Sequence, residues 1–202
     1  MHTIERARGA TRTLLVVALC LVAAGCASLT STGEVAVGAG ERWALLPIEN
    51  LSATPRAGDL AQELVEVRLR ARGVERLDPW REEGEPTIAE LVDGAARLER
   101  AKRWARENGY RYALTGTVHE WRYRSGIERD PVIGLGLKLL DLDADRVLWQ
   151  ASAARTGWGG SNLSTVGGRV VEDLLRDVRL EGAPRRADPD LVAATDPDRR
   201  LP

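Results

Sequence analysis

The sequence predicts one α/β domain, in which a mixed β-sheet is flanked by helices. Short apolar runs without helical spacing alternate with longer segments whose apolar residues recur three or four positions apart. In chain order these segments predict the element order β-α-β-α-β-β-β-α, which is typical of helices packed on a sheet. The chain has 202 residues, and its segment 42–180 is long enough for one core-forming domain.

The first strand, first helix and second strand are predicted from residues 43–77. Residues 43–48 form an apolar run bounded by polar residues, which is typical of a buried strand. Thr54 followed by Pro55 predicts a helix start, and Gly73 predicts its end. The buried face of this helix is expected to carry Leu60, Leu64, Val67 and Ala71. Residues 74–77 predict a short second strand.

A second helix is predicted between residues 87 and 109. Thr87 and Glu90 have the spacing of a capping box, in which each side chain accepts a hydrogen bond from a free backbone amide. Asn108-Gly109 is typical of a helix end. Asp93-Gly94 falls inside this segment and predicts a bend there.

Three further strands and a last helix complete the domain. The strands are predicted at 110–123, 132–140 and 147–153, with the Asp-rich turn 141–146 joining the last two as a hairpin. In the middle strand, Ile133, Leu135, Leu137 and Leu139 alternate with Gly134, Gly136 and Lys138. The last helix is expected to begin near Ser161 or Asn162 and to carry Leu163, Val170, Leu174 and Val178 on its apolar face.

The N-terminus indicates export. Three arginines precede the apolar run 14–24, and this order is typical of a secretory signal covering residues 1–25. The run is too short for a membrane span. The small residues before Cys26 resemble the lipobox of bacterial lipoproteins, which implies a lipidated (palmitate-bearing) Cys26 as the first mature residue. Residues 26–41 predict a flexible tether, and the Arg/Asp/Pro-rich segment 181–202 predicts a disordered tail.

The composition argues against several classes of function. Removal of residues 1–25 leaves 26 basic and 29 acidic residues, a net charge of −3, from totals of 29 and 30 in the whole chain. This charge does not favour nucleic-acid binding. The only cysteine left is Cys26, so no disulfide framework is expected. The only histidine left is His119, and no phosphate-binding loop is present. We therefore expect neither catalysis nor a metal site.

Two features are candidates for contacts, each with a plainer alternative. Trp158 stands among Gly157, Gly159 and Gly160 on a connection, so its ring could reach a lipid headgroup region or fold back onto the sheet. The second feature is a trio of carboxylates at the predicted hairpin: Asp141, Asp143 and Asp145. These residues suit an ordinary turn, and they would equally suit a negative rim for a cationic polymer.

Several runs, taken together, resemble the PelC family of outer-membrane lipoproteins of Pel exopolysaccharide export. They are Arg42-Trp-Ala-Leu-Leu-Pro-Ile-Glu-Asn50, Gly109-Tyr-Arg-Tyr-Ala-Leu-Thr-Gly116, Glu120-Trp-Arg-Tyr123, Pro131-Val-Ile-Gly-Leu-Gly-Leu137, Val147-Leu-Trp-Gln150 and Arg155-Thr-Gly-Trp158. The β/α order is also similar to the wider group that contains the TolB N-terminal domain, CsgG and LpoB.

The PelC resemblance implies a dodecameric ring at the periplasmic face of the outer membrane. Such a ring works with a PelB-like export protein and funnels a cationic amino-sugar polymer of the biofilm matrix. It implies a membrane contact at Trp158 and no cofactor beyond the lipid on Cys26. Two alternatives stay open. An LpoB-like activator of a peptidoglycan synthase would need a long tether, and a CsgG-like channel would need long membrane hairpins in every subunit.

Overall fold

A computed structural model of the protein describes residues 27–82, 93–125, 129–158 and 160–183. The strands are β1 (Ala27–Ser31), β2 (Val35–Gly38), β3 (Trp43–Asn50), β4 (Leu77–Pro79), β5 (Tyr112–Tyr123), β6 (Pro131–Asp141), β7 (Arg146–Thr156) and β8 (Val178–Glu181). The helices are α1 (Ala57–Ala71), α2 (Gly94–Glu107) and α3 (Leu163–Leu174), and a short 3₁₀ turn follows at Leu175–Asp177.

Six strands form a mixed central sheet in the order β1-β7-β6-β5-β3-β4. Strands β1, β7, β6 and β5 pair antiparallel, while β5, β3 and β4 are parallel. Strands β2 and β8 form a separate parallel pair. The predicted α/β class and the predicted order of the main elements are confirmed, and the structure adds three short strands, β1, β2 and β8.

One face of the sheet is covered by α1 and α3, except at the edge strand β1, where Leu29 is exposed. The predicted alternation in β6 is confirmed, because Ile133, Leu135, Leu137 and Leu139 all point into this core. Three tryptophans are buried in the same core: Trp43, Trp121 and Trp149. Helix α3 comes so close that a Cβ on Gly167 would lie 2.9 Å from both the Trp121 ring and Leu64 Cδ1. This core therefore supplies most of the buried apolar surface that stabilises the fold.

The second face of the sheet is covered only in part. Helix α2 packs Ala101 and Ala105 on this face, against Ala44 and Leu46 of β3 in a smaller cluster. The Tyr110 hydroxyl, in the same cluster, donates a hydrogen bond to the Asp78 carboxylate at 2.8 Å. Burial and this hydrogen bond both raise the pKa of Tyr110. The rest of this face, over β5, β6, β7 and β1, has no helix on it among the described residues.

The predicted start of α1 is wrong, and its predicted buried face is wrong except at Leu64, which packs against the core. Thr54 does not cap the helix, since its hydroxyl donates to the Trp121 carbonyl oxygen and the helix begins at Ala57. The residues of α1 that face the core are Ala57, Ala61, Val65 and Leu69. Leu60 and Val67 are instead 43% and 63% exposed. Small residues at 57, 58 and 61 face the sheet and allow close packing.

The prediction of a flexible tether over residues 26–41 is also wrong for its described part. Residues 27–31 pair with β7, and residues 35–38 pair with β8. The physical reason lies in two buried tryptophans that need hydrogen-bond acceptors. The Trp149 indole N–H donates to Ser31 Oγ at 3.1 Å, and the Trp43 indole N–H donates to the Gly38 carbonyl at 3.0 Å.

Smaller differences concern the ends of other elements. The described part of α2 begins at Gly94, where the Asp93 carboxylate accepts a hydrogen bond from the Ala96 amide, so Asp93-Gly94 is a helix start and not a bend. The Asn162 cap of α3 is confirmed. Val178 begins β8 and does not continue the helix. The signal segment 1–25, Cys26, the Thr87–Glu90 capping box and residues 184–202 lie outside the described residues.

Candidate functional site

The turn that follows β7 holds Trp158 outward. Gly157 is closely packed, and a larger residue would not fit there. A Cβ at this position would lie within about 2.6 Å of Pro131 and Val166 side-chain atoms and of Ser161 Oγ. Its amide also donates to the Pro131 carbonyl at 2.7 Å. The Trp158 amide donates to Ser161 Oγ at 2.8 Å, and that hydroxyl lies 2.8 Å from the Trp158 carbonyl oxygen. With its backbone closed in this way, Trp158 is 66% exposed.

The first described residue of the chain lies at the same end of the sheet as Trp158. Ala27 is the register partner of Arg155 in β7, three residues before Trp158. Paired strands and extended chain place the Cα atoms of Ala27 and Trp158 at most about 16 Å apart. Tyr123 pairs with Pro131 at this end and is 46% exposed. We call this end, where β5 and β7 finish and β1 and β6 begin, the Trp158 end.

The acidic trio lies at the opposite end of the sheet, in the β6–β7 turn. The eleven residues of β6 separate this hairpin end from the Trp158 end by about 33 Å. Asp141 is buried, and its carboxylate accepts hydrogen bonds from the Asp143 and Ala144 amides, both at 3.1 Å. The Asp145 carboxylate forms an ion pair with Arg106. Asp141 is therefore a turn residue. Of the three carboxylates, only Asp143 is both exposed and without an ion pair to a described residue.

The uncovered part of the second sheet face forms a polar groove that the sequence patterns did not predict. We call it the open face. Its cavity has a volume of about 330 Å³. Its polar lining includes Thr32, Thr117, His119, Lys138, Gln150 and Ser152. The sequence does contain a pattern for this groove, since threonines, serines and glycines fall on alternate positions of the strands. The pattern can be recognised only once the uncovered region of the sheet is known.

His119 occupies a bulge at the edge of this groove. The register of β5 against β6 shifts between Val118 and Glu120, which leaves His119 as the extra residue with an exposed ring. In the part of the chain that the structure describes, no three His, Cys, Asp or Glu side chains are grouped closely enough to hold a metal ion. Nor does any helix within those described segments combine the length and the apolar character needed to cross a bilayer.

Comparison with solved structures gives one clear likeness. The PelC dodecamer of Paraburkholderia phytofirmans, in two crystal forms, has 29% sequence identity to this chain, with TM-scores of 0.66 and 0.65. The match covers 77% of this chain and 100% of each PelC chain. This chain is similar to PelC. The resemblance predicted from its strand sequences is confirmed.

Other solved structures are less similar to this chain. Lipoprotein GNA1162 of Neisseria meningitidis has 13% identity and a TM-score of 0.44, covering 65% of this chain and 93% of its own. The C-terminal domain of LpoB from Salmonella enterica has 16% identity and a TM-score of 0.39, covering 58% and 84%. Likenesses at this level do not bear on function. No family model matches the chain, and no curated protein does.

Proposed function

We propose that this protein is a lipoprotein of the outer membrane, lipidated at Cys26, which assembles into a homo-oligomeric ring on the periplasmic side. In this proposal the ring acts in exopolysaccharide export without catalysing a reaction. The observation that carries the proposal is the likeness to the PelC dodecamer over the full length of its chains. A PelB-like outer-membrane export protein and a cationic amino-sugar polymer are the proposed partners.

The Trp158 end has the geometry that membrane attachment requires. A lipid on Cys26 would be bonded one residue before Ala27, which pairs with the strand that leads to Trp158. The acyl chains and the exposed indole would then contact the bilayer from one end of the sheet. A second contact in every subunit adds to the attachment that the lipid provides. Two contacts at one end also orient the subunit, with the hairpin end directed away from the bilayer.

The alternative of an LpoB-like activator is less favoured by this geometry. An activator that must reach a synthase across the periplasm needs a long tether. The structure shortens the tether that the sequence predicted, because residues 27–31 are already part of the sheet. A CsgG-like channel is also less favoured, because the β6–β7 hairpin lies inside the central sheet and its apolar side faces the core.

The ring itself is tested by native mass spectrometry of the lipoprotein extracted in detergent. We expect a species of many subunits that persists on dilution into the micromolar range. A protein that stays monomeric at high concentration would contradict the proposed ring and favour the activator.

Trp158 is tested as a membrane contact with the chain begun at Ala27, which removes the lipid. The Trp158→Ala variant is expected to bind phosphatidylethanolamine/phosphatidylglycerol vesicles roughly fivefold to tenfold more weakly, because each subunit loses the aromatic ring that would enter the bilayer. Its unfolding free energy should change by less than about 0.5 kcal/mol, since the ring is exposed. Val147→Ala, a half-exposed side chain at the hairpin end, is the matched control. Equal vesicle binding by all three proteins would remove Trp158 from the membrane contact.

The polymer is tested with an oligomer of glucosamine, which is cationic. Of the proposed acidic rim, only Asp143 and the ion-paired Asp145 are exposed in this chain. Each subunit therefore offers little negative charge, and binding should depend on many weak sites around a ring. Raising the salt from about 50 to 500 mM shortens the Debye length and is expected to weaken binding strongly. Binding that is insensitive to salt would rule out an electrostatic funnel.

A further inference from the structure

One glycine in the middle of β6, Gly136, is not explained by the fold of this chain. It lines the groove of the open face and its φ is not positive. Among the described atoms, a Cβ on Gly136 would meet nothing nearer than His119 Nε2 at 3.6 Å. Gly134, on the same side of the strand, is buried beside Glu120 and His119 of the β5 bulge. Glycine weakens a strand interior, and it often marks a place where another molecule approaches the backbone closely.

The charge of the open face restricts what that molecule can be. Lys138 is exposed on this face, and no ion pair to it exists among the described residues. The groove lining itself contains no carboxylate, and Glu49 lines the adjoining cavity that shares Thr117 and Lys138. A cationic polymer would be repelled by Lys138, whereas a surface that carries a carboxylate would be attracted. Because Gly136 has no side chain, the groove has room for a surface that lies flat against the strands.

Such a surface is present on the outer side of α1. Leu60 and Val67 are exposed there, and Glu63 lies between them on the same side of the helix. The Glu63 carboxylate is exposed and, within the described segments, makes no ion pair. Because α1 covers the other face of the sheet, the α1 surface and the open face lie on opposite sides of the subunit. A contact between two different surfaces of identical chains can repeat around a closed ring.

We propose that the open face of one copy receives the outer side of α1 from the next copy, with Glu63 of that copy directed at Lys138. This inference rests on the ring proposed above, and it names the two surfaces that would build it. Gly136 then allows the incoming helix to approach the sheet, while Leu60 and Val67 are covered on assembly.

A side chain added to the floor of the groove tests the close approach. In the lipoprotein extracted in detergent, Gly136→Leu is expected to raise the dissociation constant of the ring by at least about tenfold. The circular dichroism of the subunit should stay unchanged. Gly40→Leu is the matched control, because a Cβ on Gly40 meets no atom within 4 Å and its φ is not positive. This control should assemble like the unaltered protein.

Charge reversal gives a second test that does not depend on the glycine variant folding. Lys138→Glu and Glu63→Lys are each expected to weaken the ring, since each places like charges across the contact. The double variant restores opposite charges and should recover assembly. Recovery in the double variant would identify the two side chains as partners.

The outcomes separate this inference from the proposed function. An unaltered protein that is monomeric overturns the ring and this contact together. An unaltered protein that forms a ring, while Gly136→Leu and both single reversals form it equally well, overturns only the contact. A Gly136→Leu ring that stays intact but no longer binds the glucosamine oligomer assigns the open face to the polymer and likewise overturns the contact.

Discussion

The two faces of the central sheet are built from the same strands, yet they carry opposite kinds of side chain. The covered face holds three tryptophans and a row of leucines under α1 and α3. The second face carries glycine, threonine and serine where α2 does not cover it. Because side chains alternate along a strand, neighbouring residues of β6 serve the two faces in turn. The covered face therefore determines stability, and the open face is free to make contacts.

The largest effect is expected on the covered face. Trp121 is almost fully buried against α3, so Trp121→Ala removes a large apolar side chain and leaves a cavity. We expect the free energy of unfolding to fall by about 3–5 kcal/mol. Urea unfolding followed by circular dichroism measures this change. A loss below about 1 kcal/mol would show that this face is less closely packed than the structure indicates.

An intermediate effect is expected at Gly116, which lies beside Gly136 in the sheet. A Cβ on Gly116 would come to 2.3 Å from the Gly136 carbonyl oxygen and to 2.8 Å from Leu137 Cδ2. Gly116→Ala must therefore displace backbone, and we expect a loss of about 1–3 kcal/mol. The same urea titration applies. Unchanged stability would show that β5 and β6 can separate more easily than their pairing indicates.

The smallest effect is expected at Gly136, and it has the opposite sign. A methyl group added here would lie 3.6 Å from its nearest neighbouring atom, so Gly136→Ala adds a side chain without a clash. Alanine is favoured over glycine in a strand interior, and we expect a gain of about 0.5–1 kcal/mol for the monomer. The measurement is made at a protein concentration low enough for the subunit to be monomeric. A loss similar to that of Gly116→Ala would mean that Gly136 is needed within the chain itself.

The contrast between the faces also shows why the sequence predicted some elements and not others. The apolar run of β6 alternates strictly, so both its existence and its buried face were predictable from residues 132–140. Helix α1 was predictable as a helix, but its buried face was not. Leucine and valine at helical spacing indicated one face, whereas the alanines at 57 and 61 are buried because the sheet allows close approach there. Spacing cannot show which of two possible stripes meets the sheet.

The candidate site divides in the same way. Trp158 was predictable as an unusual residue, since glycines leave it without local packing, but the alternatives of an exposed and a folded-back ring were equally open. The structure shows exposure, since Trp158 is 66% exposed next to a turn that Ser161 closes by hydrogen bonds to the Trp158 backbone. The open face was not predicted, because the groove lies on the part of the sheet that α2 leaves uncovered. That extent is a tertiary contact, which the local sequence pattern does not show.

The sequence by itself determined the α/β class, the order of the main elements and the resemblance to PelC, because these follow from local hydrophobic patterns and from runs of residues. Only the tertiary structure decided that residues 27–31 belong to the sheet, because the hydrogen bond from Trp149 to Ser31 joins residues 118 positions apart. The same pairing brings the start of the described chain to the Trp158 end and leaves the acidic turn at the other. Such relations between distant segments come from packing, which local patterns do not record.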